Sequence, residues 1–168
     1  MSDRKRVVIV GAGFGGMSAA KKLAGKDVDV ILIDKRNHHL FQPLLYQVAT
    51  ADLSPAEIAW PIRSMFSKSP NVSVFMGEVT GIDLPNQRVL SGEHVLEYDY
   101  LVLATGAVTS YFGNDDWASV APGLKNITEA TNIRKSLLMA FERAENSQDE
   151  DQKRRLLNFI VVGGGPTG

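Results

Sequence analysis

Cysteine is absent from the 168 residues, which excludes disulfides and thiol redox chemistry within the chain and is compatible with a reducing cytosol. A surplus of either charge is also missing. Eighteen basic and 19 acidic side chains leave a net charge of -1, so nothing electrostatic favours nucleic acid or an anionic membrane surface. No apolar run approaches the roughly 18 residues needed to span a bilayer. Histidine occurs only three times and without ligand-like spacing, so no metal site is expected. Low-complexity tracts are lacking. The start, MSDRKRVVIV, has a basic stretch and a strand-length apolar run, but that run ends at a glycine loop and is not read as a signal peptide. A cytoplasmic location follows as an expectation.

What is present suits a globular chain with a real core, since 44% of the residues are apolar. Val7 to Val10 is β-branched throughout and reads as a buried parallel strand. Met17 to Leu23 continues as a helix that Gly25 can cap. Val28 to Ile33 is the next strand, ending at Asp34. Pro43 to Tyr46 suggests a short turn or helix. Ser54-Pro55-Ala56-Glu57 is a capping box with proline at the first helical position, and it predicts a helix to about Phe66 with a bend near Pro61. Val72, Val74 and Met76 alternate as in a strand, and Glu78 to Tyr98 reads as a three-stranded antiparallel insertion. Tyr100 to Ala104 is predicted to be a buried strand, and Ala130 to Ala144 an amphipathic helix. Glu145 to Arg155 reads as a solvated helix end or linker. Phe159 to Val162 is predicted to be a new strand leading into GGGPTG.

The segment Gly11-Ala12-Gly13-Phe14-Gly15-Gly16 matches G-x-G-x-x-G at Gly11, Gly13 and Gly16. The first glycine permits the tight turn. The second lets a pyrophosphate approach the backbone, and the third lets the helix pack close to the strand. The helix start then offers N–H groups and a positive dipole end to phosphates. A lone fingerprint is weak, but this one follows a strand, opens a helix, and has Asp34 eighteen residues after Gly16. A carboxylate there suits ribose hydroxyls and disfavours the 2'-phosphate of an NADP-type ligand. Lys35 and Arg36 could flank the adenine or the phosphates, or be plain surface. These residues alone do not separate FAD from NAD. A second loop, Gly163, Gly165 and Gly168, repeats the strand-plus-glycine pattern, and two nucleotide sites in one polypeptide suggest hydride passing from a nicotinamide to a flavin. His38 and His39 read as a solvated loop pair, with proton carriage as the alternative. Gln42 and Gln47 are open between loop capping and bonding a flavin edge. Leu44, Leu45 and Tyr46 read more readily as core.

VVIVGAGFGG, HHLFQPLLYQVATADLSPAEIAWPIR, YDYLVLATGA, SYFGNDDW and FIVVGGGPTG together resemble the N-terminal part of type II NADH dehydrogenases, the single-subunit NADH:quinone oxidoreductases. The resemblance runs through essentially the whole chain. It implies an α/β fold: a Rossmann-like FAD-binding domain over residues 1–157, with a parallel sheet and the antiparallel insertion. A second Rossmann-like, NAD-binding domain would begin at 158–168. It implies that Gly11, Gly13, Phe14, Gly15, Gly16, Asp34 and Lys35 hold the ADP half of FAD. Glu78 and Val79 would approach the adenine through the backbone, and Ala104, Thr105 and Gly106 would lie against the flavin nucleotide. Pro43 to Thr50 would lie near the isoalloxazine and the quinone. NADH would be the substrate and quinone the acceptor, with no side chain required as general acid or base. Family members continue further, with a returning flavin-domain segment and a C-terminal part that sits on the cytoplasmic face of the membrane. The chain is therefore expected to be an inactive or weakly FAD-binding fragment. A non-catalytic nucleotide-binding module, or a flavoprotein with another acceptor such as a ferredoxin reductase, are the rival readings. Residues 35–60 contain no cysteine, which disfavours the disulfide reductases of this fold.

Overall fold

The structure is a computed structural model that describes residues 4–165. In chain order its regular elements are β1 (Lys5–Val10), α1 (Phe14–Leu23), β2 (Val28–Asp34), β3 (His38–Leu40), α2 (Leu45–Ala49), β4 (Ala59–Pro61), α3 (Ile62–Met65), β5 (Val72–Met76), β6 (Gly81–Asp83), β7 (Arg88–Ser91), β8 (His94–Glu97), β9 (Tyr100–Leu103), α4 (Ile127–Glu145) and α5 (Glu150–Leu156). They fall into two compact units. One joins the chain up to Leu40 with Ala59–Ala107, and the other joins Phe41–Ile58 with the chain from Val108 onward.

The first unit is built on a parallel sheet with strand order β5-β2-β1-β9. Central β1 pairs with β2 in the register Val7↔Val30 and with β9 in the register Val10↔Leu103. Successive side chains of a strand point to opposite faces, and β1 has use for both. Val7 and Ile9 enter a core with Met17 and Ala20 of α1, Ile62 of α3 and Phe66. Val8 and Val10 enter a second core with Ile33 and Val89, joined by Leu96 and Tyr98 from the antiparallel segment and by Leu101 of β9. The continuous β-branched run of β1 is therefore the signature of a strand covered on both sides. The insertion forms as expected, with sheet order β6-β7-β8. A further antiparallel pair joins β3 to β4, His39 opposite Trp60.

The connection from α1 to β2 is held by one buried amide. Gly25 takes φ +73° just past the helix end, a conformation in which glycine avoids the Cβ penalty. The Asn71 side-chain oxygen accepts from the Gly25 N–H at 2.8 Å, and its Nδ2 donates to the carbonyls of Leu23 (3.0 Å), Lys26 (3.2 Å) and Val28 (3.0 Å).

In the second unit, α4 packs against α2 and α5. Asn126 caps α4 by accepting from the Glu129 N–H at 2.9 Å, while the Glu129 carboxylate accepts from the Lys125 N–H at 2.6 Å. Arg134 donates to the Leu53 carbonyl at 3.2 Å. Only Ala130 and Ala144 of α4 are fully buried, and Leu138 and Phe141 stay about half exposed. The lengths explain this. Five residues of α2 cover about 7 Å, against about 28 Å for the nineteen of α4.

Three expectations change. The capping box at Ser54 forms, with the Ser54 N–H donating to Glu57 at 2.7 Å, but it starts one 3-10 turn, Pro55–Glu57, and not a helix to Phe66. The Ile58 carbonyl accepts instead from the Phe41 N–H, and Ala59–Pro61 becomes a strand before the short α3. Pro61 has no N–H to continue a helix. Second, β9 ends at Leu103 and is only partly buried: Leu101 and Val102 pack against the cores, but at the sheet edge Tyr100 is 58% and Leu103 61% exposed. Third, residues 159–162 do not form a strand. They pair with nothing among the described residues, and Ile160 and Val162 are over four-fifths exposed. The 145–155 segment is exposed as expected, organised into α5 behind the Asp149 cap.

Replacing Asn71 by alanine removes the acceptor of the Gly25 N–H and the amide donor shared by the Leu23, Lys26 and Val28 carbonyls, of which Leu23 keeps the Lys26 N–H. Unfolding of Asn71→Ala by denaturant should show a loss of about 3 kcal/mol. A loss below about 0.5 kcal/mol would show that water replaces the amide there.

Candidate functional site

The C-terminal ends of β1, β2 and β9 converge on the glycine loop. The Gly11 N–H donates to the Ile33 carbonyl at 2.8 Å, extending the ladder one residue beyond β1. Gly11 then turns with φ +100°. A Cβ at Gly11 would run into the Ala104 carbonyl group and lie 3.2 Å from the Thr105 Cα. A Cβ at Gly16 would collide with the Gly11 carbonyl and lie 3.3 Å from Ile9 Cγ2. Helix, strand and neighbouring strand end therefore touch backbone to backbone. Gly13 differs. Its φ is -71°, which any residue adopts, and a Cβ there would meet nothing within 4 Å. Nothing in the chain demands glycine at this position, so the missing side chain keeps space clear for something else.

The first intrahelical bond of α1 runs from the Met17 N–H to the Gly13 carbonyl at 2.9 Å. N–H groups ahead of it have no intrahelical acceptor and point out of the helix start. Gly13, Phe14 and Gly15 are exposed, whereas Ala12 and Gly16 are buried. Asp34 is half-buried beneath this turn. One carboxylate oxygen accepts from the Ala12 N–H at 2.7 Å and the other from the Arg36 N–H at 2.8 Å. Each oxygen keeps a further lone pair for a hydroxyl. Lys35 and Glu78 form an exposed ion pair at 3.6 Å across the ends of β2 and β5. Val79 places its side chain in the core on the Val8 face. Ala104 and Thr105 lie against Gly11, the Ala104 Cβ lies near Gly15, and Gly106 turns with φ +74°.

The two histidines part company. His38 is partly exposed beside Asn37. Burial, and then the Arg36 charge, hold its imidazole below the usual value against the opposing pull of Asp34. His39 is not a solvated loop residue, because β3 turns it inward. Its Nδ1 lies 2.8 Å from the Ala12 carbonyl, it is only 8% exposed, and its ring meets Phe14 edge-on at 5.6 Å. Reading the pair as loop misses the short strand that alternates them.

In the second unit, Gln42–Leu44 is a 3-10 turn leading into α2. Leu45 and Val48 are core, while Tyr46 is 40% exposed. Gln42 and Gln47 are half-buried. Gly163 has φ +120°, and Gly163 to Gly165 are exposed with open space around each. Gly168 lies outside the described residues. Among the described residues no helix is long and apolar enough to cross a membrane, and no three potential ligands cluster to hold a metal.

A parallel sheet with a glycine turn into a helix and an acid closing the second strand defines the Rossmann-like α/β class of fold. The chain belongs to the pyridine nucleotide-disulphide oxidoreductase family, whose model matches residues 5–168. It is 53% identical to the type II NADH:quinone oxidoreductase Ndh of Mycobacterium tuberculosis, over 98% of this chain and 36% of that protein. It is 35% identical to the mitochondrial external alternative NAD(P)H-ubiquinone oxidoreductase B2 of Arabidopsis thaliana, over 99% of this chain and 31% of that protein. The chain thus spans about a third of the length of these relatives. The structure is similar to that of NDH2 from Plasmodium falciparum in complex with NADH. That match has a TM-score of 0.80 at 26% identity and covers 90% of this chain and 32% of the other.

Two measurements check the geometry. Gly16→Ala should lower stability by about 2 kcal/mol, since its Cβ meets fixed backbone rather than a movable side chain. The His38 imidazole, followed by NMR, should titrate below about pH 6.5, so that acidification through that midpoint disfavours the fold. A higher midpoint would mean that Asp34 outweighs burial there.

Proposed function

We propose that this chain is the FAD-binding portion of an NADH:quinone oxidoreductase, with residues 1–157 forming the flavin domain and 158–168 opening an NAD-binding one. The observation that carries the proposal is the clear space over Gly13 at the helix start, with Gly11 and Gly16 closed by backbone contact and Asp34 half-buried beneath. That arrangement fits a pyrophosphate on the turn and a ribose at the carboxylate. Phe14, Gly15 and the Ala104 to Gly106 turn border the same opening, and Lys35 with Glu78 stands at the adenosine end. Gly163 to Gly168 belong to the nicotinamide nucleotide side. When bound, FAD supplies a two-electron acceptor for hydride from NADH and a donor of electrons to quinone. The residues of this chain bind and orient. Backbone N–H groups meet phosphate oxygens, and the Asp34 carboxylate accepts from ribose hydroxyls while its charge discourages a 2'-phosphate. The names of the relatives support the quinone acceptor. We place the complete protein on the cytoplasmic side of the membrane, associated peripherally.

The complete protein should purify with the two visible bands of oxidised flavin, bleach them with NADH, and recover them with quinone. The 168-residue chain should carry substoichiometric flavin and no NADH:quinone turnover. Full turnover by the chain alone would overturn its assignment as the binding portion. ADP-ribose should raise the melting temperature of the chain, and Asp34→Asn should weaken that ligand about tenfold through loss of charge-assisted bonds. Protection by FMN but not by ADP-ribose would overturn the placement of the adenine half at Gly11 to Asp34.

A further inference from the structure

The Ala12 residue between the first two glycines is held at both of its backbone groups by side chains from the end of β2 and from β3. Its N–H donates to Asp34 at 2.7 Å, and its carbonyl lies 2.8 Å from His39 Nδ1. A carbonyl oxygen can only accept, so Nδ1 carries the hydrogen and the tautomer is set. The peptide from Ala12 to Gly13 is trans, as are all peptides of the described residues. In a planar trans peptide the C=O and the following N–H point in opposite directions. Drawing the Ala12 oxygen toward His39 therefore aims the Gly13 N–H away from His39, toward the exposed side of the turn. Gly13 is itself exposed, and a Cβ on it would meet nothing within 4 Å.

His39 is itself well fixed. It lies in β3, opposite Trp60 of β4. The residue is 8% exposed, its ring meets the Phe14 ring at 87°, and Phe14 begins α1. The imidazole thus braces both the loop carbonyl and the first helical side chain. Phenylalanine in its place would fill similar volume and leave the buried Ala12 carbonyl without this donor, freeing the peptide to rotate.

We propose that His39 is a positioning residue for the pyrophosphate of the bound dinucleotide, holding the Ala12 carbonyl so that the Gly13 N–H faces the phosphate oxygens. This rests on the reading of Gly11 to Asp34 as the dinucleotide site. The role is specific to phosphate, because the adenosine end is served by Asp34 and the β2 and β5 ends.

The test uses apoprotein of the complete enzyme titrated with FAD, ADP and adenosine. His39→Phe should raise the Kd for FAD and for ADP on the order of tenfold and leave adenosine unchanged. His39→Asn, whose amide nitrogen can take the place of Nδ1, should stay within about threefold of the wild type. In the unsubstituted protein, the 15N signal of His39 Nδ1 should move on adding ADP and not on adding adenosine. This readout holds even if the phenylalanine variant does not fold. Equal FAD affinity in His39→Phe, an asparagine variant as weak as the phenylalanine one, or parallel loss of adenosine would overturn the positioning role. A wild-type apoprotein that binds neither FAD nor ADP would overturn the site reading as well, which separates the two failures.

Discussion

The contact between the Gly11 carbonyl and the Cα of Gly16 sets the position of everything around the site. Any side chain at Gly16 would displace the helix from the strand end, and any at Gly11 would displace the Ala104 backbone. These two close approaches place the first turn of α1 over the carboxyl end of a central parallel strand. From that follow the outward N–H groups, the burial of Ala12 below them and the reach of Asp34 to the Ala12 N–H. A site made of backbone groups, as proposed here, requires that the backbone be held on every side. Here Ile33, Asp34, His39 and Met17 each bond one loop group.

Support for that contact comes from β1 being covered on both faces. α1, Ile62 and Phe66 close one face, and the antiparallel strands close the other through Val89 and Leu96. The insertion is thus part of the core of the unit that carries the loop. Asn71 plays the matching part at the opposite end of α1, where its amide ties the helix exit to the start of β2. The helix is anchored by close packing at its N-terminus and by a buried polar group beyond its C-terminus, which leaves it little freedom to tilt.

Much of this is legible in the residues. The β-branched run, the glycine spacing and the acid at Asp34 are local signals that agree with one another, and all three elements form as expected. The antiparallel strands are legible because proline and glycine turns separate alternating runs. Legibility fails where burial depends on partners distant in sequence. The capping box at Ser54 is real, yet its helix stops after one turn because the next residues pair with β3. Tyr100 to Leu103 has a buried-strand composition but lies at an edge. Phe159 to Val162 has strand composition and no neighbour to pair with among the described residues. His39 is hidden for a related reason. A histidine pair after a strand end looks solvated until β3 turns one ring in and the other out.

The chemistry of the assembled groups also bears on how labour divides within such a protein. Around the loop the chain offers backbone donors, one carboxylate already bonded twice, and a histidine whose Nδ1 hydrogen is committed to a carbonyl. None is arranged as a nucleophile with an adjacent base, and hydride transfer to a flavin requires neither. What hydride transfer does require is alignment of two rigid ring systems, where small misplacement costs much rate. A loop fixed by backbone contact and two side-chain anchors is suited to setting the origin of that alignment. In the proposed function, it would fix where one end of the bound dinucleotide begins.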